Sequence, residues 1–137
     1  MRHSRGSARA VGRAAAAVVV AVLMSSCSSG DPAQAKERQR DYCTKLGSWQ
    51  DAKHAVATSA AHADSSDAQN ARHDIAESAG HAVVDASKRL AQEGLEQGGS
   101  HIFDDTVNAV GGDTGAESRA VSYCDSSGFE TLVGSAG

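Results

Sequence analysis

Large apolar side chains are scarce in this chain of 137 residues, which holds two Phe, two Tyr and one Trp. A domain built from it buries modest area per residue, so its core is expected to be thin and to gain from a covalent staple. No run of apolar residues approaches the roughly 20 that a membrane-spanning helix needs. Reactive motifs are missing as well. The chain has no His-Glu-x-x-His, Glu-x-x-His or Cys-x-x-Cys, no Gly-x-Ser-x-Gly, and no glycine pair in the strand-then-helix setting of a phosphate loop. No catalytic residue is therefore assigned, the chain is not read as an enzyme, and no cofactor is expected. Strand-like alternation and internal repeats are also absent, which leaves helical periodicity as the organising pattern.

What is present begins with a charged and apolar leader. Arg2, Arg5, Arg9 and Arg13 precede the eleven apolar residues Ala14 to Met24, and no acidic residue comes before Asp31. Eleven residues match the apolar region of an export signal, about 7 to 15 long, and are too few for an anchor. Met24-Ser25-Ser26-Cys27 then resembles the bacterial lipobox, with Met24 where Leu is usual and two small residues before the cysteine. The resemblance implies cleavage before Cys27, acylation of its thiol with palmitate-type chains, and a mature domain held on the outer face of the cell membrane. The bilayer is then the first partner. An alternative is ordinary cleavage after Ala33-Gln34-Ala35 and release as a secreted protein. The expected division is signal 1–26, lipidated cysteine and tether 27–31, helical bundle 32–125 and flexible tail 126–137.

Residues 27–137 hold nine Lys and Arg against seventeen Asp and Glu, a balance of −8. Such a surface does not suit phosphate, so nucleic acid is excluded as a partner. With Cys27 lipidated, Cys43 and Cys124 remain as a pair, and an oxidising compartment favours joining them. Closing a loop of roughly 80 residues is worth up to about 4.5 kcal/mol in loop-closure entropy.

Helical periodicity gives two long helices and two short ones. Asp31-Pro32 opens the first, whose apolar stripe is Tyr42, Leu46, Trp49, Val56, Ala60 and Ala63, with a bend expected at Gly47 and Lys53 leaning inward. Ser66 and Gln69 form a capping box for the second, striped by Ala68, Ala71, Ile75, Ala79, Val83, Ala86 and Leu90 and ended by Gly94 with Leu95 packing back. The two make an antiparallel hairpin. Ser100 caps a third helix with Ile102, Phe103, Val107 and Val110 inward. Thr114 and Glu117 box the start of a fourth carrying Ala116, Ala120, Val121 and Cys124. The fold expected is an all-α antiparallel hairpin plus two short helices, closed by a disulfide.

Candidate ligands are sparse. His54 and His62 repeat the spacing of His73 and His81, with Glu77 midway between the second pair. Imidazoles and carboxylates on one helix face are metal-ligand chemistry, but a bundle site needs its ligands to project inward. All four histidines plot away from the stripes, so a solvated face is the expectation and surface metal or small-ligand binding the alternative. The Tyr42-Cys43 and Tyr123-Cys124 steps are expected as core packing around the bridge, and Trp49 as core rather than a partner-binding anchor.

With its lipobox-like leader and two Tyr-Cys cysteines in a small helical domain, the chain resembles uncharacterised small lipoproteins of high-GC Gram-positive bacteria. That resemblance implies an envelope location and a helical bundle, and supplies no catalytic or binding residue. The function expected is a membrane-tethered module that binds another envelope protein or its own kind, with a metal- or small-ligand-binding lipoprotein as the first alternative and an enzyme as the second.

Overall fold

The computed structural model describes residues 30–62 and 64–136, so the leader, Cys27 and Ala63 lie outside the described residues. Among the described residues there are four α-helices, α1 Pro32–His62, α2 Ser66–Gln92, α3 Ile102–Val110 and α4 Thr114–Ser126, then a single 3₁₀ turn at Glu130–Leu132, and no strand. The fold is an all-α bundle. α1 and α2 form the antiparallel hairpin, tied at one end by Arg38 to Glu93 at 3.3 Å and at the other by Arg72 to the Ser59 hydroxyl.

Helix ends follow local chemistry, displaced in places by one residue. Asp31 Oδ1 accepts from Ala33 N at 3.0 Å and starts α1. The α2 cap is Ser65 rather than Ser66; its hydroxyl takes Ala68 N, and the Gln69 side chain donates to the Asp64 carbonyl at 3.0 Å. Gly94, at φ 67°, ends that helix, and Leu95 N reaches Leu90 O at 3.0 Å while its side chain packs on the core. α3 is capped at His101, because Ser100 turns back to Gln97 N and the Glu96 carboxylate accepts from Ile102 N. Asp113, not Thr114, caps α4 through Ala116 N at 3.0 Å, which leaves Glu117 free to enter the core.

The buried apolar cluster is Tyr42, Cys43, Leu46 and Trp49 of α1, Val83, Ala86 and Leu90 of α2, and six residues of α3 and α4. Between Trp49 and Val83 no described residue belongs to that buried set, although Ala79 packs against it. α3 and α4 cover only the hairpin's lower part, here called the base. The arm, α1 beyond Val56 and α2 before Ala76, is two helices without a third layer. That is why the expected stripe fails there: Ala60 and Ala71 are exposed, Ala68 is half-buried, and Ile75 is 61% exposed.

Two other expectations are corrected. α1 runs unbroken through Gly47, which is needed for close approach and not for a bend: a Cβ there would collide with the Leu132 carbonyl oxygen. The segment after 125 is not loose throughout its length. Phe129, Leu132 and Val133 pack on the core, and Gly134 N donates to Gln50 Oε1 at 2.9 Å. It crosses α1 as a strap, with Lys36 donating to the Ser127 carbonyl and standing 4.6 Å from the Phe129 ring centre.

Candidate functional site

Three features of the base and its edge carry polar or reactive chemistry. The first is the cysteine pair. Cys43 and Cys124, 81 residues apart in sequence, lie at disulfide-bonding distance with Cα atoms 5.7 Å apart, and both are fully buried. Tyr42 and Tyr123 meet edge to face beside them, ring centres 5.7 Å apart. The Thr106 hydroxyl donates its one proton to the Ile102 carbonyl at 2.6 Å, so the 2.8 Å contact with Tyr42 has the phenol as donor. Burial pushes the Tyr42 phenol well above the ordinary tyrosine range; Tyr123 is raised too, chiefly by burial. Both rings are core.

The second is a buried polar knot that the sequence pattern does not reveal. Gln50, 2% exposed, donates to Glu117 Oε1 at 2.9 Å and to the Gly134 carbonyl at 3.2 Å, while its own oxygen receives Gly134 N. Glu117, 1% exposed, also accepts from Lys53 Nζ at 2.5 Å. One amide thus joins α1, α4 and the strap, and the carboxylate is paired as a buried charge must be. The only signal for Gln50 was its position, four residues after Leu46 and beside Trp49 on the inward face; its polar identity argued the other way.

The third is a groove of about 420 Å³ where the base ends and the arm begins, at the size of small-ligand and side-chain pockets. Trp49 and Val56 of α1, Ala76 of α2 and Val110 of α3 give it apolar walls, and Lys53, His73 and Glu77 stand on its polar side. Lys53 lies 5.0 Å from the Trp49 ring centre and spans from the indole to Glu117, with its side chain 36% exposed.

The sequence candidates are placed as follows. His54, His62, His73 and His81 are exposed, as is Glu77. His81 Nε2 stands 3.6 Å from Glu77 Oε1, and His62 Nδ1 lies 2.8 Å from the Thr58 carbonyl. Among the described residues no three His, Cys, Asp or Glu side chains gather as metal ligands. Of the predicted candidates only His73 and Glu77 come together in the groove; His54 and His62 stand on α1 outside it. No described helix is long and apolar enough to cross a membrane. No family model, curated protein or solved structure matches the chain.

Proposed function

We propose that the chain is an extracytoplasmic lipoprotein, tethered through acylated Cys27, whose bundle is a protein-interaction module of the cell envelope. The observation that carries this reading is the Cys43–Cys124 pairing, because a buried bridge between distant cysteines belongs to an oxidising compartment. An exposed groove with apolar walls supports binding as the activity. The test is metabolic labelling with a fatty-acid analogue, which should tag the wild type and not Cys27→Ser. A wild type that takes no label and begins at Lys36 would overturn the tether and favour the secreted alternative.

A second reading, metal or small-ligand binding, has one observation in its favour: His73, Glu77 and His81 follow one another along one side of α2, with Glu77 near His81. Calorimetric titration with zinc decides it. A dissociation constant below about 1 μM that is lost in His73→Ala and His81→Ala would favour it over the interaction module.

A further inference from the structure

α3 buries Ile102 and Ala109 and leaves a second apolar row toward the surface. Val107 is 43% and Val110 37% exposed, and Phe103 is half-buried, whereas Asp105 and Thr106 are buried. Two polar contacts hold α3 in that orientation: Thr106 to Tyr42, and Asp105 Oδ1 to Arg119 Nε at 2.7 Å. Beside α3, Ala76, Gly80 and Val84 follow at helical spacing along α2, and Ala76 and Val84 are half-buried. Gly80 sets the closeness of the two helices, since a Cβ there would stand 3.1 Å from Val110 Cγ1. Ala76 of the α2 row and Val110 of the α3 row line the Trp49 groove, Gly80 packs against Val110, and by helical spacing the rest of both rows continues from there as an apolar seam. From His73 to Val84 it runs about 16 Å, three turns of helix.

We infer that this seam docks one amphipathic helix with basic flanks, supplied by another protein. The inference rests on the interaction-module reading and names the site and the partner's chemistry. Residues at helical spacings of three and four on the incoming helix fill the seam between Val84 and the Val107–Val110 pair, and its end reaches the groove over Trp49. Charge selects the flanks. The chain from Cys27 onward carries −8, exposed Glu77 lines the groove end of the seam, and exposed Asp104 follows Phe103 on α3. Lys53 is engaged by Glu117 and the indole, and Lys88 lies one turn beyond Val84. A second copy would set these same negative charges against each other, whereas Lys and Arg flanks complement them.

Trp49 is the only tryptophan in the chain and faces the groove, so its emission reports occupancy. The probe is a Leu/Lys amphipathic peptide of about 15 residues, near the length at which an isolated helix holds. It is titrated into residues 27–137 carrying Cys27→Ser, which contain every described element. A saturable emission change is expected, with no response to the Leu/Glu counterpart. Val107→Glu and Val110→Glu should weaken binding about tenfold or more. Each adds a negative charge that would strengthen non-specific attraction to the peptide, so a loss reads the seam itself. Ile75→Glu, the same charge on the arm, should hold affinity within about threefold. Val107 is exposed, and circular dichroism should show that its variant keeps the fold. Equal binding by Val107→Glu and Ile75→Glu, equal response to the Leu/Glu peptide, or a dimer in sedimentation that Val107→Glu dissolves would each overturn the proposal. An envelope partner captured equally by wild type and Val107→Glu would sink the seam while the module reading stands; a missing lipid label bears on the tether alone.

Discussion

The base and the arm of the hairpin are built from similar alanine-rich helix, yet they are held together by different means. In the base, α1 and α2 meet α3, α4 and the strap, and every residue of the buried apolar cluster lies there. In the arm, Ser59 is the one described residue that is buried, and Arg72 bridges it to Asp64 at 3.1 Å across the turn. Surface ion pairs of that kind contribute about 0 to 1 kcal/mol, whereas burying one Leu contributes about 1.5 to 3. Alanine patterning on one face is thus a condition for a helix to be covered and does not ensure that it will be. What decides is whether a third element reaches it, and α3 stops at Val110.

The sharpest way to test this contrast is to remove core from the base. Leu46→Ala, at a fully buried position, should destabilise by about 2 to 5 kcal/mol in denaturant unfolding. Cys43→Ala, Cys124→Ala and the double variant should each lose about 2 to 4 kcal/mol, and lose it equally, because each removes the same bond. Unequal losses would mean that the cysteines act singly. Two free thiols in protein isolated from the envelope would remove the bridge from the account of the base and the compartment argument with it.

High pH probes the base alone. Tyr42 is held protonated in the fold above the ordinary tyrosine value of 10.0, so below pH 10 both folded and unfolded states are neutral there. Above it the unfolded chain loses a proton that the folded chain keeps, and stability falls as pH rises. The loss is about 1.4 kcal/mol per pH unit for that group. Tyrosinate absorbance from Tyr42 should appear together with loss of helix and not before it; a separate earlier titration of both tyrosines would mean that the ring pair is open to water.

The strap is the next test. Gly47→Ala should push Leu132 and Val133 off α1 at a cost of about 1 to 3 kcal/mol, and hydrogen exchange should show residues 129–134 losing protection while α2 and α3 keep theirs. The smallest effect is expected in the arm. Ile75→Ser should change stability by no more than about 0.5 kcal/mol, and arm amides should exchange through openings of lower free energy than those near Leu90. A loss above about 2 kcal/mol at Ile75 would show that a partner or second copy covers the arm.

Much of the fold was legible in sequence because its signals are local. The caps at Asp31 and Gly94, the hairpin, the closing cysteine pair and the inward set Tyr42, Leu46, Trp49, Val83, Ala86 and Leu90 all follow from spacing and residue type. The misses share one physical origin. Ile75 and Val107 satisfy an apolar periodicity and are exposed, while Gln50, Asp105, Thr106 and Glu117 break it and are buried. Each of those four is satisfied by a partner 14 to 67 residues away, at Arg119, Tyr42 or across the Gln50–Glu117 pair.

By itself the sequence determined which of the described segments are helical, where they begin and end within a residue or so, and the charge balance. Those properties depend on neighbours within a turn or on composition, so no partner is needed to state them. The tertiary structure alone decided how far α3 and α4 extend along the hairpin, which way α3 is rotated, that Gly47 and Gly80 serve close approach, and that the end of the chain is a strap. Each of these depends on side chains brought together from distant parts of the chain, where a buried hydrogen bond or a missing Cβ outweighs the periodicity of a single helix.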